Sequence, residues 1–210
     1  YRQDYKKTYI PKIKHVYRAG NLALDRINFL KEKNFLKGTL LDVGAGGGEF
    51  TYLSGRLGFN SEGIEPNVGY SNYARQEYGI NIQTGQLADV IKRFDLITMF
   101  HALEHIPNPV KTFKLLYQLL NKNGILFIEV PNIETKDASP HNIYFKAHIH
   151  YFSAATLTSA ASQYFEKIDE DIGSNLRILF KRKDTVEEDL TYPSLKQINQ
   201  SALRLQEKGW

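Results

Sequence analysis

Histidine set beside glutamate is the first pattern in this chain that could do chemistry. His101, Glu104 and His105 fall within five positions. Imidazole titrates near neutral pH, so His105 oriented by Glu104, or His101 acting directly, could take a proton from a nucleophile; equally, His105 could do no more than pack and cap the turn that follows. His141, His148 and His150 come later, and the last two alternate, so on an extended segment they would share one face. The order His-x-x-Glu-His also matches an inverted zinc-peptidase motif, which needs one helix to carry both rings. Phe94–Phe100 reads as a strand and Pro107 and Pro109 follow at once, which leaves that helix no room.

The second pattern is a glycine run, Asp42-Val43-Gly44-Ala45-Gly46-Gly47-Gly48, placed where an apolar strand gives way to a helical spacing. Glycine belongs there because a Cβ would block both the tight turn and the close approach of a ligand to the backbone. A dinucleotide fingerprint aligned on Gly44 would need glycine at position 49, which is Glu49. The next strand ends in Glu65-Pro66, a carboxylate able to accept two ribose hydroxyls, so an adenosine-containing ligand is expected.

These residues need strands and helices to hold them, and the apolar spacing supplies an alternation. Strands are expected at 39–43, 61–64, 80–83, 94–100 and 124–130; helices at 21–37 with Asn21 as N-cap and Gly38 as stop, from Phe50 through Leu57, at 68–78 and at 110–120. Such alternation implies an α/β fold with a parallel sheet and helices on both faces. Ser153 should cap a further helix to about Gln163, and 165–172 with 176–183 should form an antiparallel hairpin around Gly173. Residues 131–152 lack periodicity and read as a segment covering a site. A basic arm and helix over 1–37, a central domain over 38–183 and a helical tail over 184–210 are expected, the tail carrying Leu195, Ile198, Ala202 and Leu205 as a surface for oligomerisation.

Composition excludes several classes. With 210 residues, 42% of them hydrophobic, the chain can bury one core and is not disordered. It has no cysteine, so disulfide frameworks, thiolate zinc sites and a cysteine nucleophile are excluded, and a reducing, cytoplasmic setting is expected. No apolar run is long enough to span a bilayer. The net charge of +4 is local, with ten Lys/Arg against three Asp/Glu in residues 1–37, and reads as a solvated face more readily than as a nucleic-acid surface. The chain opens on Tyr1 without a methionine, so a fragment of a longer protein is expected.

Taken in order, Asp42 to Gly48, Glu65-Pro66, Gly85-Gln86-Leu87, Phe94-Asp95-Leu96-Ile97 with His101 to His105, and Gly124 to Pro131 resemble the ordered motifs of class I S-adenosylmethionine-dependent methyltransferases. The resemblance spans residues 35–183 and is closest to the branch with ubiquinone-biosynthesis and sugar methyltransferases, where a segment like His148-Ile149-His150-Tyr151-Phe152-Ser153 recurs. It implies a Rossmann-like seven-stranded sheet with S-adenosylmethionine as cofactor. It also implies that Asp42, Gly44, Ala45 and Gly46 lie against the amino-acid end of the cofactor, and that Glu65, beside Pro66, holds the ribose. Gln86 and Leu87 would meet the adenine, and Phe100 and His101 would border the sulfonium.

Related quinone methyltransferases hold a divalent cation here through carboxylates. His101 stands where they have Glu, so no metal is expected. Tyr5, Tyr9 or Tyr17 of the arm would close over the cofactor, and one of His148 and His150 would reach the acceptor, for which a sugar or nucleotide-sugar is expected. Two other readings remain at this point: a nicotinamide-dependent oxidoreductase, against which Glu49 counts, and a non-catalytic assembly module working through the tail helix. An RNA methyltransferase ranks below these, for want of an aromatic RNA-binding signature.

Overall fold

Strands and helices alternate because glycine or asparagine ends one element where apolar spacing starts the next. The computed structural model describes residues 9–35, 37–135 and 147–186. Seven strands form one mixed sheet: β1 (Gly38–Val43), β2 (Phe59–Glu65), β3 (Ile82–Thr84), β4 (Phe94–Phe100), β5 (Leu120–Pro131), β6 (Phe165–Ile172) and β7 (Asn175–Arg182), in the order β3-β2-β1-β4-β5-β7-β6. β1, β2 and β3 pair in parallel, while β7 is antiparallel to both β5 and β6, which gives the expected C-terminal hairpin. The helices are α1 (Ile13–Glu32), α2 (Glu49–Arg56), α3 (Val68–Tyr78), α4 (Pro109–Leu119) and α5 (Ala154–Ala161). Among the described residues no helix is long and apolar enough to cross a membrane. Contacts divide the chain after Thr98 into two units.

In the first unit, α1 starts at Ile13, well before the expected Asn21, which lies exposed inside the helix. The reason is that only its second half buries a stripe (Ala23, Ile27, Leu30), while Ile13 and Tyr17 in its first half are 89% and 72% exposed, so burial periodicity did not reach them. Pro11 sits ahead of the first turn, where its missing N–H costs nothing. The helix stops at Asn34 and not at Gly38. Asn34 takes a left-handed φ of 64°, its N–H donating to the Lys31 carbonyl at 2.9 Å and that of Phe35 to Leu30 at 2.9 Å. Gly38 opens β1.

α2 buries Phe50, Thr51 and Ser54 and leaves Leu53 half-buried and Leu57 exposed, because the two hydroxyls have hydrogen-bond partners on β1 and β2. Thr51 donates to Asp42 Oδ2 at 2.9 Å, and Ser54 bonds Ser61 at 2.8 Å. Thr98 donates to the other Asp42 oxygen at 2.9 Å. Burial still outweighs these donors and pushes the Asp42 carboxyl up to about 6. α3 starts where expected because the Asn67 side chain accepts from the N–H groups of Gly69 and Tyr70 at 2.8 and 3.2 Å.

In the second unit, β5 carries the most buried run of the chain, Gly124–Val130. Its Phe127 meets Phe100 edge to face, centroids 5.1 Å apart. Asn108 caps α4 through the Lys111 N–H, with Pro109 in the first turn, and Ser153 caps α5 as expected, though α5 ends at Ala161. The residues of the tail from 187 onward, with its heptad positions, and residues 136–146, with His141, lie outside the described residues.

Phe127→Ala should cost roughly 3–5 kcal/mol and lower the thermal midpoint by about 6–20 °C; a shift under about 2 °C would contradict this packing. For Asp42, the folded carboxyl ionises near pH 6 and the unfolded one near pH 4. Its contribution to stability is therefore complete below about pH 4 and lost as pH rises through about 6. Asp42→Asn, read by urea midpoints, should flatten the fall in stability between those values; parallel curves for the two proteins would contradict the assignment.

Candidate functional site

In the first unit the glycine loop is pinned to the end of β2. Gly44 and Ala45 both donate their N–H to the Ile64 carbonyl, at 2.9 and 3.2 Å. Gly46 has a φ of 55°, a left-handed value that suits glycine, and a Cβ added there would meet nothing within 4 Å, so the loop has open space at its crest. Gly63 is required by close approach: a Cβ would come within 2.8 Å of Ile82 and 3.0 Å of Ala45.

Glu65, at the tip of β2, ties this loop to α3. Its Oε2 accepts the Gly46 N–H at 2.9 Å and its Oε1 the Asn67 N–H at 2.8 Å. Burial raises its pKa, and those two N–H groups pull it partly back. Each carboxylate oxygen has a second lone pair, so the residue keeps acceptor capacity for hydroxyls. Pro66 is exposed and fixes the turn into α3. The Gly85 N–H donates to the Glu65 carbonyl at 3.1 Å, which brings the end of β3 beside that carboxylate. Gln86 follows with an exposed side chain and its N–H on the Asp89 carboxylate at 2.7 Å, and Leu87 opens a single 3-10 turn. Asp42 lies below the loop with both oxygens occupied by threonine hydroxyls. The loop, Glu65 and the crest at Gly46 thus fit a flat adenosyl ligand.

Of the arm tyrosines, Tyr9 packs on Tyr70 and Tyr73 of α3, centroids 4.0 and 5.3 Å apart. Burial, with Tyr70 and Glu49 nearby, pushes its hydroxyl up to about 12. Tyr17 is exposed, and Tyr5 is outside the described residues.

In the second unit, Phe100 ends β4 and His101 turns the chain with a φ of 49°, rare for a residue with a side chain. Its N–H donates to the Glu129 carbonyl at 2.8 Å, and its ring Nε2 to Glu129 Oε1 at 3.0 Å, while Nδ1 faces Glu104 Oε1 at 3.4 Å. Burial alone would lower this imidazole; the two carboxylates outweigh it and lift it to about 9. His105 Nδ1 donates to the Ala147 carbonyl at 2.9 Å, which leaves Nε2 as the basic nitrogen of that ring. The His148 ring stands edge-on to His105 with centroids 4.9 Å apart, its Nε2 3.9 Å from Glu104 Oε1, and burial lowers its pKa.

His101, Glu104, His105 and His148 are therefore brought together. His150 is not: its Nε2 donates to the Pro107 carbonyl at 3.3 Å and its ring leans on Phe152. The shared face expected of His148 and His150 fails because 147–150 is a turn whose Ile149 and His150 N–H groups both fold onto the Glu104 carbonyl. Sequence reasoning missed Glu129 and Arg177, which bond at 2.9 Å through Arg177 Nε and Glu129 Oε2. Glu129 was visible as the one charge in a wholly apolar run; Arg177 had no such signal.

Residues 103–105 form one 3-10 turn, so the zinc-peptidase helix is absent. Among the described residues Glu104, His105 and His148 present ligand atoms within 4.8 Å of one another. They are one carboxylate and two imidazoles, not the carboxylate set by which the related quinone methyltransferases hold a cation. At position 101 an imidazole lies 3.4 Å from Glu104 Oε1, and neither Glu104 oxygen has a hydrogen-bond partner among the described residues.

A family model described as a methyltransferase domain matches residues 14–164. A ubiquinone biosynthesis O-methyltransferase of Actinobacillus pleuropneumoniae is 33% identical over 122 residues, 51% of this chain and 52% of that protein. The chain spans about half the length of the curated relatives it matches. Two solved structures share the fold, each with a TM-score of 0.65. One, from Thermotoga maritima, is a methyltransferase described as a possible histamine N-methyltransferase, 18% identical, covering 80% of this chain and 91% of its own. The other, magnesium protoporphyrin IX methyltransferase of Synechocystis with S-adenosylhomocysteine bound, is 13% identical and covers 83% and 89%. The chain belongs to the methyltransferase-domain family.

Proposed function

We propose that this domain methylates a hydroxyl oxygen of a small acceptor, a sugar or glycan-linked molecule, using S-adenosylmethionine. The observation that carries the cofactor half is Glu65, held by the N–H groups of Gly46 and Asn67 beside an open crest. Oxygen as the methylated atom follows the O-methyltransferase relatives. The sugar follows the resemblance to that branch, an argument by analogy.

The bound cofactor supplies an electrophilic methyl group on a sulfonium. Glu65 would accept the ribose hydroxyls, Gln86 would offer its amide oxygen to the adenine amino group, and Leu87 with the backbone of Gly44, Ala45 and Gly46 would complete the cofactor's seat. Asp42 and Pro66 fix the loop and the turn. His105 is the residue assigned to take the acceptor's proton, on Nε2, because the Ala147 carbonyl sets its tautomer. Glu104 anchors the turn beneath it, His148 packs against its ring, and His150 secures the covering segment on Pro107. Most of the rate comes from positioning.

Calorimetry should show S-adenosylhomocysteine binding and no heat from NADH. Glu65→Ala should weaken binding about 10- to 100-fold, the loss of one or two hydrogen bonds to a charged group. Heat from NADH alone, or unchanged affinity in the variant, would contradict the cofactor assignment. Radiolabel from the cofactor should pass to UDP- or dTDP-sugars; transfer only to hydroxylated aromatic acceptors would overturn the sugar assignment.

A further inference from the structure

We propose that Glu104, His105 and His148 form a binding site for a divalent transition-metal ion, with Zn2+ as the test case. Two separate observations meet there. The three side chains each present one ligand atom, all within 4.8 Å of one another. Glu104 is 1% exposed, and neither of its carboxylate oxygens accepts a hydrogen bond among the described residues. A carboxylate taken out of water without a donor is costly, and a cation at its oxygens removes that cost. His101, with Nδ1 3.4 Å from Glu104 Oε1, borders the group without joining it.

Two turns locked to each other build the site. Glu104 and His105 lie in the 3-10 turn Leu103–His105. The Glu104 carbonyl accepts the N–H groups of Ile149 and His150 at 2.9 and 3.1 Å, and the Ala147 carbonyl accepts His105 Nδ1 at 2.9 Å. Those three bonds seat His148 beside Glu104, with its Nε2 3.9 Å from Oε1. A backbone carbonyl on one ring nitrogen is a common way to orient a ligating imidazole, and it leaves His105 Nε2 for the ion. A tetrahedral ion about 2.0–2.1 Å from its ligands spaces them roughly 3.4 Å apart, so the His148–Glu104 pair has about 0.5 Å to close. Two imidazoles favour Zn2+ and its neighbours over Mg2+, which takes oxygen ligands; the site therefore differs in metal as well as in ligands from one held by carboxylates. The ion takes the same Nε2 that is assigned to the acceptor's proton, so the two compete and bound Zn2+ inhibits transfer. That consequence rests on the methyl-transfer reading; binding of the ion does not.

Calorimetric titration of the full chain with Zn2+ and with Mg2+, free of any histidine tag and without cofactor, reads the site directly. A single Zn2+ per chain should bind at micromolar concentration or below, and Mg2+ should give no heat. His148→Ala and Glu104→Gln should each weaken Zn2+ binding more than about 100-fold, since loss of an outer-shell partner already costs about 10- to 100-fold. His15→Gln, on α1, should leave it unchanged. Should Glu104→Gln fail to fold, His148→Ala reads the same loss, and Co2+ in place of Zn2+ should give the visible absorption of a tetrahedral ion in the parent chain and not in that variant. No heat from Zn2+, tighter binding of Mg2+ than of Zn2+, or Zn2+ binding untouched by both site variants would overturn the proposal. Radiolabel transfer should fall in proportion to Zn2+ occupancy; full transfer by the loaded chain would overturn the competition for His105. The binding measurements use no S-adenosylhomocysteine, so the ion site and the cofactor assignment can fail separately.

Discussion

A carboxylate removed from water must be met by donors, and four buried ones organise this chain. Asp42, Glu65, Glu104 and Glu129 each sit at or just past the end of a strand, where side chains leave the apolar core but have not reached solvent. Leaving any of them unmet would cost several kcal/mol. The local structure around Asp42, Glu65 and Glu129 is the answer to that demand, while the two Glu104 oxygens find no hydrogen-bond donor among the described residues. The glycine loop presents an N–H to Glu65, α3 begins where Asn67 can present another, α2 turns hydroxyls inward to Asp42, and the chain after β4 bends into a left-handed turn that sets a ring between Glu104 and Glu129.

The donors differ between the two units, and the difference separates their chemistry. In the first unit the hydrogen-bond donors to Asp42 and Glu65 are neutral, backbone N–H groups and threonine hydroxyls, and Arg26 adds a favourable charge toward Asp42. Burial accordingly raises Asp42, Glu49 and Glu65 alike. In the second unit Glu129 is met by Arg177 and by the His101 ring, groups able to carry positive charge. His105 stands apart from this pairing, its ring oriented by the Ala147 carbonyl and not by a carboxylate.

What the sequence disclosed follows from what is local. Val68–Tyr78 and Phe94–Phe100 were legible to the residue because a capping asparagine and an unbroken apolar run lie within each segment. The glycine loop and Glu65 were legible from spacing. The start of α1 was not, since its first half buries nothing and so carries no period. The buried face of α2 was misread because hydroxyls at 51 and 54 replaced leucines there, a choice made by Asp42 and Ser61 across space. Arg177 stayed hidden because it meets Glu129 only through the register of β5 on β7, which no local pattern states. The turn at 147–150 defeated the alternation of His148 and His150 by folding onto the carbonyl of a residue more than 40 positions earlier.

The most direct test of the account is a crystal structure of the chain with S-adenosylhomocysteine. The ribose hydroxyls should lie within hydrogen-bonding distance of the Glu65 carboxylate, with the ligand passing over Gly46 and the Gly46 and Asn67 bonds to Glu65 intact. A nucleoside seated elsewhere, or a Glu65 side chain turned away to leave the loop closed on itself, would contradict it.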